Sequence, residues 1–221
     1  MRYGLEFRDV FAAWDVFMGG VWVTLSLSLV AMVGGLLIGI ACAAAQIYGH
    51  PLLRRASVIY VEIVRNTPLL VQLFLVFFGL PSIGIKLDAI TAAIIALVFN
   101  LGAYTTEIVR AGFEAIPETQ IEAGASLGLS GFQIFRYVIL FPALKAMVPS
   151  LASQFVFFML ATAAVSQISV PDLFHVGSVV QSRTFRDFEV YIVVAALYLA
   201  LAIFFRMLFA ILYRTLFGAR A

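Results

Sequence analysis

The sequence is poor in the residues that build reactive or metal centres. Its 221 residues include one cysteine, Cys42, and two histidines, His50 and His175. One cysteine excludes an internal disulfide and a cysteine metal cluster. Two isolated histidines leave no metal-ligating set. Charge is scarce too: 12% of residues are Asp, Glu, Lys or Arg, against roughly 25% in an ordinary soluble domain. The net charge of +2 rests on few groups and no basic run, so nucleic acid is not indicated. A contiguous G-K-[ST] is missing as well. Residues 79–86, GLPSIGIK, come nearest to a phosphate-binding loop and lack that ending. The chain is therefore expected to hold no ATP, cofactor or metal of its own.

What is abundant is apolar surface. Hydrophobic residues make up 63% of the chain, more than a soluble fold of this size can hide, so the bilayer is the expected solvent. The predicted fold class is an all-α integral membrane protein, a single domain over residues 1–221. A membrane-crossing helix needs about 20 apolar residues. Five runs qualify, at about 16–47, 56–80, 89–115, 143–168 and 188–217. The first is too long for a signal-peptide core, so no cleavage is expected. It is rich in small residues (Gly34, Gly35, Gly39, Ala43, Ala44), which let helices approach closely. Pro68 lies inside the second run and predicts a kink.

Five spans place the termini on opposite sides. With the N-terminus outside, the inner segments carry seven cations: Arg54, Arg55, Arg110, Arg136, Lys145, Arg214 and Arg220. The outer segments carry five: Arg2, Arg8, Lys86, Arg183 and Arg186. The excess of positive charge inside favours this orientation by a small margin. In the outer loop 169–189, Pro171 can open a short helix with Asp172 in its first turn, and Leu173, Val176 and Val180 share a face.

Residues 116–142, IPETQIEAGASLGLSGFQIFRYVILFP, form the longest break between apolar runs. Thr119 and Glu122 have the T-x-x-E spacing of a capping box, and Ser130 and Gln133 repeat it as S-x-x-Q. Gly128 offers the left-handed position that ends a helix. The spacing predicts two short helices hinged at Gly128-Leu129, a cytoplasmic elbow on which another protein docks.

Polar groups inside apolar spans are costly and mark pathways or interhelical contacts. The second span holds Glu62, Arg65, Asn66, Thr67 and Gln72. The third holds Asn100, Tyr104, Thr105, Glu107 and Arg110, and the fourth holds Gln154, Thr162 and Gln167. Glu107 and Arg110 are spaced to pair on one helix face. Any one of these groups is as readily explained by interhelical bonding. As a set they favour a polar path, with Arg65, Asn66, Glu107 and Gln167 as its candidate residues. Gly124-Ala125-Ser126-Leu127-Gly128 formally matches G-x-S-x-G, with Asp172 and His175 following. That motif needs a strand–turn–helix in an α/β sheet, and nothing here alternates strand and helix. Enzymatic activity is not expected.

The elbow resembles the EAA-x3-G-x9-I-x-LP signature in the membrane subunits of bacterial ABC importers. Glu122-Ala123-Gly124, Gly128 and Val138-Ile139-Leu140-Phe141-Pro142 follow its spacing. Gly124 replaces the usual second alanine, and the proline comes one place late. Residues 24–29 (TLSLSL), 64–72 (VRNTPLLVQ), 102–104 (GAY), 107–110 (EIVR), 182–186 (SRTFR) and 188–191 (FEVY) are similar to the polar amino-acid uptake branch. The fourth span departs from it: Leu160-Ala161 stands where a Lys-Asp pair is common. The resemblance implies a type I importer permease in a bacterial cytoplasmic membrane. It implies a second permease subunit, the same or paralogous, and an extracytoplasmic solute-binding protein. It also implies separate ATPase subunits, which carry ATP and magnesium and dock on Glu122, Ala123, Gly124, Leu127 and Gly128. Glu122 either caps its own helix or pairs with that partner, and the T-x-x-E spacing favours the cap. The alternative is a carrier driven by an ion gradient, against which stands the lack of a clear inverted repeat.

Overall fold

A computed structural model describes residues 5–218. Arg2 and Arg220, used in the charge count, lie outside the described residues. Helices follow in the order α1 (Arg8–Ala12), α2 (Trp14–Tyr48), α3 (Pro51–Arg65), α4 (Leu69–Ser82), α5 (Ala89–Glu114), α6 (Glu118–Ser126), α7 (Gly131–Ile168), α8 (Leu173–Thr184) and α9 (Asp187–Phe217). Among the described residues, four helices (α2, α5, α7 and α9) are long and apolar enough to cross a membrane. The second expected span, 56–80, is not one kinked helix. It is the pair α3 and α4, bent by 106° at residues 66–68.

Local chemistry sets the helix starts. His50 Nδ1 accepts from the Leu52 amide, with Pro51 in the first turn of α3. Asp88 caps α5 by accepting from the Thr91 amide at 3.0 Å and the Thr91 hydroxyl at 2.6 Å. Those bonds hold its carboxyl below the usual carboxylate range. Asp172 is the N-cap of α8 rather than a first-turn residue. Pi-helical turns interrupt α4 at Leu75–Gly79 and α7 at Ile134–Leu140. Both end two residues before a proline, Pro81 and Pro142. A proline ring crowds the carbonyl four residues back and supplies no N–H. The wider π turn is a known way for a helix to absorb such a disruption.

Lipid tails are as apolar as leucine, so van der Waals contact must hold membrane helices together. The small residues of α2 provide it. A Cβ added at Gly35 would lie 2.9 Å from Leu101 Cβ, and one at Gly39 would lie 2.5 Å from Thr105 Cγ2. Helices α2 and α5 thus meet backbone to side chain, with Ala31, Ala92, Ala93 and Ala96 buried beside the seam. One buried cluster joins α2, α4, α5 and α7 around Leu27, Leu73, Leu97 and Phe158. A second joins α1, α2, α8 and α9 around Phe17, Leu173, Val176 and Val194. A third joins Ala43, Val109, Ala143 and Met147 at the opposite end of α2. Helix α9 is the most apolar span and the least covered, with 11% of its most apolar window buried. Its outer stripe (Leu199, Ile203, Phe204, Met207) suits a lipid-facing position.

Candidate functional site

The break between α3 and α4 leaves backbone carbonyls without helical partners, which is costly away from water. Side chains of the break bond to the last carbonyls of α3 and to that of Thr67. Asn66 Nδ2 donates to the Glu62 carbonyl at 2.8 Å and to Glu62 Oε2 at 3.1 Å. The Thr67 hydroxyl donates to the Ile63 carbonyl at 2.7 Å. Gln72 Nε2 donates to the carbonyls of Val64 (2.7 Å) and Thr67 (2.9 Å). Asn100 Nδ2 on α5 donates to Gln72 Oε1 at 3.1 Å, which ties the break to the third span. Pro68 stands at the N-cap of α4, where its missing N–H costs nothing.

Two open cavities, each about 550 Å³, lie on either side of a small ionic network. The first is lined by Arg65, Asn66, Asn100, Tyr104 and Gln154. The second is lined by Glu62, Glu107, Arg110, Glu114 and the elbow residue Ile121. Arg110 holds Glu107 at 2.8 Å and Glu114 at 2.6 Å. Arg65 reaches Glu107 at 3.5 Å, and its guanidinium lies 5.5 Å from the Tyr104 ring centre. The expected Glu107–Arg110 pair is present, and Arg65 joins it; Asn66 bonds to Glu62 instead. Gln167 does not join it either: it is exposed on the 3-10 turn that ends α7, and its amide donates to Ser166 Oγ.

The elbow is built differently from its expected form. Helix α6 starts at Glu118 with Pro117 as its N-cap, so no Thr119–Glu122 capping box forms. Thr119 already lies inside the first turn, where no orphan amide is ahead of its hydroxyl. The glycine end forms as expected. Gly128 has φ +76°, its amide donates to the Ala125 carbonyl, and the Leu129 amide donates to the Gly124 carbonyl. This is the Schellman pattern. Ser130 and Gln133 then form the complete capping box of α7. The second elbow helix is not separate. It runs through the π turn into the fourth span without a break, from Gly131 to Ile168. Gly124 is buried, and a Cβ there would sit 3.4–3.5 Å from Ile134 and Val138. It therefore seats α6 on α7 rather than facing outward. Glu122, Ala123, Leu127 and Gly128 are exposed, Leu127 by 81%. Ser126 donates its hydroxyl to the Glu122 carbonyl at 2.9 Å, a bond within the helix.

At the other end, α8 is more than an interfacial helix. Asp172 is fully buried and accepts from the His175 amide at 2.9 Å and the Tyr198 hydroxyl at 3.1 Å. The Leu173 amide donates to Thr24 Oγ1 at 3.1 Å. Thr24, Asp172 and Tyr198 thereby lock α8 to α2 and α9. Burial pushes the Asp172 carboxyl above the usual range, against the bonds that favour its charged form. Glu189 is also fully buried and accepts from the Glu6 amide at 3.0 Å. The roles of Tyr198 and Glu189 are not legible in the sequence, because a lone polar residue in an apolar helix does not announce its partner.

A bundle of membrane-length helices with a broken polar span and a capped elbow defines a membrane transport subunit. Comparison with known proteins makes this specific. Residues 35–218 match the family of binding-protein-dependent transport system inner membrane components. The chain belongs to that family. It is 34% identical over 194 residues to the probable glutamine ABC transporter permease protein GlnM of Bacillus subtilis, covering 88% of this chain and 90% of that one. It is 32% identical over 200 residues to the glutamine transport system permease protein GlnP of Escherichia coli K12, covering 90% and 91%. The crystal structure of an amino acid ABC transporter with histidines superposes with a TM-score of 0.90 at 35% identity, over 96% of this chain and 100% of that one. The fold is that of a type I ABC importer permease. The family assignment leaves the ion-gradient carrier without support.

Proposed function

We propose that this chain carries polar amino acids across a bacterial cytoplasmic membrane as the permease subunit of an ATP-driven importer. Two relatives are named for glutamine transport, which supports the solute class. The N-terminus faces outside and the C-terminus inside, which puts the elbow in the cytoplasm. There a separate ATPase, holding ATP and magnesium, docks on Glu122, Ala123, Leu127 and Gly128, while Gly124 keeps α6 seated on α7. A second permease subunit, the same or paralogous, completes the path. An extracytoplasmic binding protein delivers the solute. Arg65, Asn66 and Glu107 border the path within this chain, and Gln167 stands apart from them.

The observation that carries the coupling role is the rigidity of the elbow combined with its exposed tip. A Schellman end and a capping box fix both sides of the turn, and Leu127 projects from it. Because α7 runs unbroken from the turn into the fourth span, a push on the tip is delivered to the membrane helices. Each nucleotide state need only favour one arrangement of those helices. Purification of the tagged chain from native membranes tests this reading. An ABC ATPase is expected to co-purify with the wild type and to be lost from Leu127→Glu. Equal recovery with both chains, or with neither, contradicts the docking role.

A further inference from the structure

The two cavities share no lining residue, yet polar contacts cross between them. Arg65 and Asn66 line the cavity at the helix break. Their partners, Glu107 and Glu62, line the cavity beside the elbow. The break-side cavity thus presents a cation and amide donors with no carboxylate in its lining. The elbow-side cavity presents three carboxylates, Glu62, Glu107 and Glu114, opposite Arg54 and Arg110.

The Arg65–Glu107 pair is held unequally. Glu107 is anchored by Arg110 at 2.8 and 3.3 Å, and Arg110 is in turn clamped to Glu114. Arg65 meets Glu107 only at 3.5 Å, longer than the 2.7–2.9 Å of a strong charge-assisted bond. Its side chain is 41% exposed and sits on the last residue of α3, at the break. The carboxylate is therefore the fixed post and the guanidinium the movable part.

We propose that Arg65 and Glu107 recognise the two charges of a zwitterionic solute by parting to admit it. The solute carboxylate takes the place of Glu107 on Arg65, and the solute ammonium takes the place of Arg65 on Glu107. Every charge keeps a partner throughout, so the exchange leaves no ion unpaired. A solute lacking the carboxylate leaves Arg65 without the partner it had in Glu107, and a solute lacking the ammonium leaves Glu107 with Arg110 alone. This selectivity rests on the transport reading above and names the residues that would enforce it.

The test is equilibrium binding to the permease–ATPase complex in phosphatidylcholine nanodiscs, which contain no anionic lipid. The probes are L-glutamine, L-glutamine amide (no carboxylate) and glutaramate (no ammonium). Each analogue is expected to bind wild type about 10-fold more weakly than L-glutamine, as for loss of one charge-assisted bond. Arg65→Gln weakens L-glutamine by a similar factor and leaves the amide unchanged. Glu107→Gln weakens L-glutamine and leaves glutaramate unchanged. Should a glutamine variant fail to assemble, Arg65→Lys and Glu107→Asp take its place, with the same pattern at smaller amplitude. Equal effects on all three probes, no effect on L-glutamine, or no binding of L-glutamine to wild type overturns the exchange. ATP-driven uptake by the wild type is read in parallel. Uptake of L-glutamine without the probe pattern sinks the exchange alone, whereas no uptake of any amino acid sinks the transport reading.

Discussion

Gln72 reaches back across the break in the second span and donates its side-chain amide to the carbonyl of Val64, 2.7 Å away. The same amide serves Thr67, and the Gln72 carbonyl accepts from Asn100. One side chain therefore bonds two carbonyls of the break and anchors it to α5. Replacing it with leucine, of similar bulk, removes these bonds and leaves the Thr67 carbonyl and the Asn100 amide without them. Gln72→Leu is expected to lower stability by about 1–3 kcal/mol, measured as a drop in Tm of the purified chain in detergent. An unchanged Tm would mean that water or neighbouring groups satisfy the break equally well.

The α2–α5 seam makes a second prediction. At Gly39 an added methyl meets Thr105 Cγ2 at 2.5 Å, whereas at Gly19 it meets nothing within 4 Å. Gly39→Ala is expected to cost about 1–3 kcal/mol by overpacking. Gly19→Ala is expected to be neutral or to gain about 0.5–1 kcal/mol, because alanine is the better helix residue. Tm values of the two variants against wild type check the contrast. The same change costing the same at both sites would contradict the seam.

At the elbow, Gly128 has φ +76° and open space where a Cβ would be. The penalty for a side chain there is conformational rather than steric, about 1–2 kcal/mol for an ordinary residue. Asparagine visits this region more readily. Gly128→Asn is expected to retain ATP-coupled transport. Gly128→Glu, with strain and charge together, is expected to insert normally but to uncouple ATP hydrolysis from uptake. Paired measurements of ATPase rate and uptake in proteoliposomes decide it.

Asp172 makes a pH-dependent prediction. Burial raises its carboxyl pKa in the folded chain. A raised folded pKa contributes stability below the unfolded value, and that contribution is lost as pH rises through the folded value. An asparagine in its place would keep the N-cap acceptor without the buried charge, so Asp172→Asn is expected to gain Tm relative to wild type as pH rises from acid to neutral. Asp172→Ala removes the cap and the Tyr198 partner and is expected to lose Tm throughout. A pH-independent gap between wild type and Asp172→Asn would show that burial does not govern this carboxyl.

Much of the architecture can be read from residues alone, for reasons visible in particular elements. Long apolar runs locate α2, α5, α7 and α9 because length and hydropathy are one-dimensional properties. Gly128 and the Ser130/Gln133 box are legible because cap chemistry is local. The 106° break looks like a kink in the sequence, because Pro68 signals a defect but not its size; the contact of Gln72 with Asn100 beside it joins two helices and has no local spacing. Thr119/Glu122 fails as a box because Pro117 starts the helix two residues earlier than that spacing requires. The continuity of α7 through Pro142 is hidden because a π turn has no sequence signature of its own. In the site, Glu107–Arg110 follows from helical spacing. Its link to Arg65 requires the fold to bring α3 to α5.

The central claim is that a cytoplasmic ATPase works this chain's helices through the elbow. Amino-acid uptake into proteoliposomes holding the permease–ATPase complex, with binding protein outside and ATP trapped inside, tests it most directly. The account predicts L-glutamine uptake that requires internal ATP and is lost in Leu127→Glu, although the chain still inserts and melts as wild type does. Uptake that proceeds without ATP, or that survives Leu127→Glu undiminished, would contradict it.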